Sequence, residues 1–437
     1  MEEVYDNLKE RIKLIASLVT KKTENKTTKI FYNEDSDSLS CAVILLKTLI
    51  KLDRTCSIHP LEKNEKEFIY TLKKDEPLII LGAGKNLINH IKNYGIEFAL
   101  IIDNKNISQE EIPTNIEFVG TENKKISISG IGYLISKEIN SENTEFAKIA
   151  TIGMSKKNLV EQIQNLGIEL ENNSEIKIKE SLKISPVTRP INRTLEFCVD
   201  PYIPEITGNI KGIIELLTKT KLTPTNGNYK AIIDLTREEL TNLTEKINEK
   251  MPQLNQEDIF GKICLIKFFD SFEDSLEITN KIDSCFKVKK RGLAPRFCLE
   301  KNNVKKEVES NYATYKQALI TGIKVIREGE KEIIKNLHVI RIAEIINKIH
   351  FRKVMKIISG SGIFKENQTL MILGPEKIFV KNLENSEYIY QIFERKANEV
   401  EAKIVREDYL EISLNKEREK EFVDSIKKSF EIELVKI

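Results

Sequence analysis

The chain has 437 residues, more than one ordinary core organises, so two or three domains are expected. Its composition, 40% hydrophobic and 31% charged with 18 Gly and 11 Pro, excludes a wholly disordered or collagen-like polymer. Lys+Arg 69 against Asp+Glu 67 leaves a net charge of +2, which argues against a surface coated throughout in nucleic acid and leaves room for a local basic groove.

Apolar residues at Val4, Leu8, Ile12, Ile15 and Val19 form a helical stripe, which the polar run Lys21–Lys29 interrupts. Lys29–Asn33 then reads as a strand and Leu39–Lys51 as a buried helix. Thr55–Pro60, Pro77–Gly82, Phe98–Asp103 and Ile116–Gly120 read as further strands, with a helical segment near Asn86–Tyr94. Apolar strands alternating with helices predict a parallel α/β sheet covered on both faces. Ligands of such sheets lie beyond the carboxyl ends of the strands, so chemistry is sought just after Asn33, Leu81 and Ile102.

A second α/β stretch, Leu182–Lys301, is rich in turn residues. Val304, Val308, Tyr312, Tyr315, Leu319, Ile323 and Ile326 then make one continuous helical stripe, read as a spacer helix. Gly322 inside it costs about 1 kcal/mol against Ala. From Leu337 the pattern alternates again, with a Ser359–Gly362 turn and a closing helix. The expected organisation is an N-terminal helix and linker (1–28), an α/β domain (29–181), a middle α/β insertion (182–302), a spacer helix (303–336) and a smaller α/β domain (337–437). The six cysteines include no CxxC pair and read as buried free thiols of a reducing cytoplasm. No run approaches ~18 uninterrupted apolar residues, so no membrane span is expected.

The first strand leads into Asn33-Glu34-Asp35-Ser36-Asp37-Ser38 and straight on to a helix. Two carboxylates at i and i+2 beside a helix start either converge on a divalent metal or serve as turn and N-cap residues. The fourth strand ends in Asp103-Asn104-Lys105, a third carboxylate at the same sheet edge. Gly82-Ala83-Gly84-Lys85 lacks the rest of a phosphate loop and is read as a turn. Lys287–Arg291 is a basic stretch, read either as a solvated loop or as a contact to a nucleic-acid backbone.

In their order these segments resemble the DHH phosphoesterase superfamily, specifically the archaeal RecJ-like proteins. The family pattern of H-x-D-x-D-G, a third-strand Asp, D-H-H, a Gly-rich helix start and a final Asp falls here on Asn33–Ser38, Ile80–Gly82, Asp103–Lys105, Ser127–Gly132 and Ile152–Met154. Arg189-Pro190, Asp200-Pro201-Tyr202-Ile203-Pro204, Thr207-Gly208-Asn209 and Gly292-Leu293-Ala294 continue the resemblance. It implies a parallel-sheet DHH domain over 29–181 and a substrate-clamping DHHA1-like domain over 337–437.

Against that family the chain keeps Asp35, Asp37 and Asp103 and lacks the histidines expected at Asn33, Asn104 and Lys105. The whole sequence has only 4 His, and none falls at a family ligand position. The stretch 398–414, where the family carries a G-G-G-H loop, has neither Gly nor His, and the basic residue of the preceding strand survives as Lys381. The expectation is a catalytically inactive RecJ-like protein without a cofactor, with Lys105 neutralising Asp35 and Asp37. The resemblance implies a cytoplasmic scaffold or accessory factor of DNA replication or repair, with GINS and MCM-type proteins as partners. Single-stranded DNA would lie near Lys381 and Arg291. The alternative is a single-strand exonuclease or oligonucleotide phosphodiesterase using Mn or Mg on Asp35, Asp37 and Asp103.

Overall fold

A computed structural model describes residues 2–61, 67–108, 111–121, 126–156, 159–168, 174–342, 348–375 and 377–432. The chain divides into two compact units, one of residues 1–188 and 261–313, the other of 189–260 and 314–437. The middle region 182–302 is thus shared between them.

In the first unit, helix α1 (Glu2–Lys22) precedes β1 (Thr28–Asn33), α2 (Ser36–Lys51), β2 (Cys56–Leu61), β3 (Leu78–Leu81), α3 (Ile88–Tyr94), β4 (Ala99–Asp103) and β5 (Ile116–Gly120). The five strands form one sheet in the order β2-β1-β3-β4-β5, with every pair parallel. Alternate residues serve opposite faces. Ile30, Tyr32, Ile79, Leu81, Leu100 and Ile102 join a core with α1 and α2, whereas Phe31, Ile80 and Ile101 pack against α3. Coverage on both faces explains why these strands read as unbroken apolar runs. Helices α4 (Ile128–Ile139), α5 (Ala147–Met154) and α6 (Leu159–Asn165) follow, and then β6 (Ile176–Leu182).

Within the expected α/β stretch 182–301, residues 189–260 contribute the helices α7 (Ile191–Glu196), α8 (Ile210–Lys219), α9 (Arg237–Lys250) and α10 (Gln256–Ile259), and the strands come after them. The turn-rich sequence between them supports caps instead of strands, such as Asn209 on α8 and the Thr236–Glu239 capping box on α9. The chain then returns to the first unit through β7 (Phe260–Phe268), β8 (Ser271–Asp274), α11 (Ser275–Lys287) and α12 (Leu293–Cys298). Strands β6, β7 and β8 form a small sheet, and Ile278, Ile282, Phe286 and Phe297 enter the main core.

Helix α13 (Asn302–Glu328) is continuous through Gly322. Its Leu319, Ile323 and Ile326 belong to a core of the second unit, which also takes Tyr202. That unit adds β9 (Lys331–Ile334), β10 (Leu337–Arg341), α14 (Lys348–Gly360), β11 (Thr369–Leu373), β12 (Ile378–Asn382), α15 (Glu387–Glu399), β13 (Lys403–Arg406), β14 (Leu410–Ser413) and α16 (Lys416–Ile432). Its sheet runs β13-β14-β12-β11-β10-β9, with only β10 and β11 parallel. All six cysteines are free thiols, five of them buried. Among the described residues no helix is long and apolar enough to cross a membrane.

Candidate functional site

Two motif segments, Asn33–Ser38 and Ser127–Gly132, meet at the carboxyl end of β1 and the starts of α2 and α4, with Gly82 and Gly153 beside them. Asp35 leaves β1 in extended conformation and is the N-cap of α2. Its Oδ1 accepts the Ser38 amide at 2.8 Å, and its Oδ2 accepts Ser38 Oγ at 3.1 Å and Asn33 Nδ2 at 2.8 Å. The N-cap reading of this residue is the one the geometry supports. Burial pushes the Asp35 carboxyl up to about 6; the Ser38 amide opposes the rise, and the charges of Asp37 and Asp283 add to it.

Asp37, in the first turn of α2, reaches the start of another helix. The Ser129 amide donates to its Oδ1 at 2.8 Å and the Ile128 amide to its Oδ2 at 3.2 Å. The Ser127 amide donates to Gln162 Oε1 at 2.8 Å, and the Gly130 amide to Ser127 Oγ at 3.2 Å. All four amides that an α-helix leaves open at its start are therefore satisfied in α4, two of them by Asp37. Burial raises the Asp37 carboxyl, and the bonds from Ser129, Ile128 and Ser127 oppose that rise. The positive end of the helix dipole acts in the same stabilising sense.

Two glycines bring the elements this close. Gly82 follows β3 at φ +83°, and a Cβ there would lie 2.2 Å from Ser38 Oγ and 3.0 Å from Asn33 Cβ. At Gly153 in α5 a Cβ would lie 2.3 Å from Ser129 Oγ and 3.0 Å from Asp37 Oδ1. These are the regions where the family pattern carries its third-strand and final aspartates. Serines 38 and 129 occupy the space those side chains would need.

Asp283 and Lys156, which sequence reasoning missed, join the site together with Arg291. Asp283 of α11 accepts the Ser36 amide on Oδ1 at 2.8 Å, and its Oδ2 holds the Lys156 ammonium. Arg291 forms an ion pair with Glu34. Asp283 lies 247 positions from Ser36, and nothing local marks it. Lys156 had a signal, since it sits two residues beyond the last motif segment.

The role expected of Lys105 is corrected by the structure. Lys105 is exposed, and the ion pairs of the described residues include none between it and Asp35 or Asp37. Two residues past β4, this lysine is in solvent, while its amide turns back to Asp103 Oδ1 at 3.3 Å. Asn104 is also exposed and accepts from Thr121 Oγ1 at 3.4 Å. Asp103 is 4% exposed at the end of β4. In the second unit Lys381 is buried, and its ammonium donates to Asn385 Oδ1 and to the Asp408 carbonyl, both at 2.7 Å. Asp408 lies in the turn of the β13–β14 hairpin, which is the structure of the 398–414 stretch. Both basic candidates thus hold internal partners.

A pair of divalent ions does not fit this donor set. The Asn33 amide group points its hydrogens at Asp35, where the family places an imidazole nitrogen. Asp37 faces the positive end of α4, and Gly82 and Gly153 offer no carboxylate and no room for one. Among the described residues no group of three or more His, Cys, Asp or Glu is placed to hold a metal ion.

Residues 186–257 match the DHH-CID domain family. Over its full length the fold is similar to CDC45 from Entamoeba histolytica, with 14% identity, a TM-score of 0.63 and 98% of each chain covered. It is also similar to the exonuclease RecJ bound to manganese, with 10% identity, a TM-score of 0.56 and coverage of 98% of this chain and 96% of that one. An uncharacterized protein of Methanocaldococcus jannaschii is 24% identical over 197 residues, which span 42% of this chain and less than half, 46%, of that protein.

Proposed function

We propose, from the premise that this chain is a RecJ-like member of the DHH superfamily carrying a DHH-CID domain, that it is catalytically inactive and serves as a scaffold or accessory factor in DNA replication or repair. One observation carries this reading: the carboxylates left from the motif are bound by the chain's own donors. Asp35 caps α2 and Asp37 caps α4. A phosphodiesterase of this kind needs metal-activated water and a cation on the transition-state phosphate. Ligands engaged in helix capping supply neither. The similarity in fold to CDC45 supports a place in replication. The resemblance set out from the sequence supports GINS and MCM-type proteins as partners, because relatives that have lost their ligands join those assemblies.

The test is digestion of 5′-labelled single-stranded DNA with Mn2+ present, together with capture of GINS by the full chain. No digestion, with GINS retained, is the expected result. Digestion that Asp103→Ala abolishes would overturn the proposal. It would favour the second reading, a Mn-dependent single-strand exonuclease or oligonucleotide phosphodiesterase. Retention of Asp35, Asp37 and Asp103 is what supports that second reading. It requires Asp37 to release the Ile128 and Ser129 amides before it can bind an ion.

A further inference from the structure

Four carboxylates, Glu34, Asp35, Asp37 and Asp283, are gathered around the start of α2. Such a group is unstable without compensating positive charge. Helix starts supply part of it, through the amides of Ser36, Ser38, Ile128 and Ser129. The remainder is delivered by two side chains from distant parts of the sequence. Lys156, just past α5, pairs with Asp283, and Arg291, between α11 and α12, pairs with Glu34. Each pair joins the 29–156 part of the first unit to the 261–313 part, which re-enters after residues 189–260 have left for the second unit.

We propose that Lys156 and Arg291 are the resident cations of this site, taking the electrostatic place of a divalent metal and clasping the returning segment to the motif loop. The geometry makes the clasp specific. Asp283 uses one oxygen on the open Ser36 amide of α2 and the other on Lys156, so a single carboxylate ties together α2, α5 and α11. Arg291 acts on the neighbouring residue Glu34, so the loop is held on both sides of its first turn. The inference deepens the reading of the site as inactive but does not depend on the replication partners.

Thermal unfolding of the full chain tests it. Wild type should melt at the same temperature with Mn2+ or with a chelator. Lys156→Met and Arg291→Met should each lower the midpoint by about 2–4 °C, the shift that ~1 kcal/mol produces in a unit of this size. Both losses should shrink in about 1 M salt, because partly exposed pairs are screened there. In a cycle with Asp283→Asn, which keeps a carbonyl for the Ser36 amide, Lys156→Met should cost little further, a non-additivity that mere packing would not give. A Mn2+-dependent rise in wild type, or a Lys156→Met midpoint equal to wild type at low salt, would overturn the clasp. The digestion assay reports on inactivity separately, so the two claims can fail independently.

Discussion

Asp37 shows how one side chain can keep its place in a motif and change its work. Its two oxygens satisfy the Ile128 and Ser129 amides, so Asp37→Ala should destabilise the first unit by about 2 kcal/mol, the range of a lost cap with charged bonds. Asp37→Asn should cost less, because its carbonyl still accepts one amide. Urea unfolding of the two variants checks the order. Gly153→Asp is the complementary test. It would restore a carboxylate near the family position, but its Cβ would meet Ser129 Oγ and Asp37 Oδ1, so it should destabilise instead of creating a metal site. A variant as stable as wild type would show that the contact relaxes freely. The sequence made Asp35 and Asp37 conspicuous because a strand, a carboxylate pair and a helix lie within a few residues. It could not reveal Asp283, whose partnership with Ser36 exists only after α11 has packed against α2.

The same division runs through the elements. The parallel strands and α13 were legible, because apolar runs and a stripe with gaps of three and four are local signals. The helical character of residues 189–260 was not, since Gly, Pro, Asn and Thr clusters serve strand turns and helix caps alike. In α11, Lys281 is 2% exposed and lies 3.2 Å from both Glu273 and Glu277, all three nearly buried. Sequence gives no reason to bury a lysine there; only the packing of α11 does. Lys281→Met should destabilise by about 3 kcal/mol, because it takes the nearest ammonium from two buried carboxylates and leaves Glu273 the more distant Lys305. Chemical denaturation of Lys281→Met beside the surface control Lys219→Met reads this directly. In α9 the Glu239 carboxyl is held below the usual glutamate range, first by the Thr236 amide and then by Lys230. A lowered folded value means that its contribution is complete above the ordinary glutamate pKa and fades as pH falls through the folded value. Glu239→Gln should flatten that acid limb of the stability profile.

Across the whole molecule, the count of 4 His in 437 residues gains a structural meaning. Where the family pattern places imidazole and further carboxylates, this chain has two asparagines, a lysine and glycines, and Asp35 and Asp37 cap helices. Lys381 and Arg291 both have internal partners. The central claim is that the chain itself fills the place of the metal. Electron paramagnetic resonance of a Mn2+ titration tests this most directly, because the six-line signal of the free ion is lost on binding. The expected result is a free-ion signal that grows with added Mn2+ as in buffer. A stoichiometric loss of that signal, itself abolished by Asp35→Asn, would contradict it.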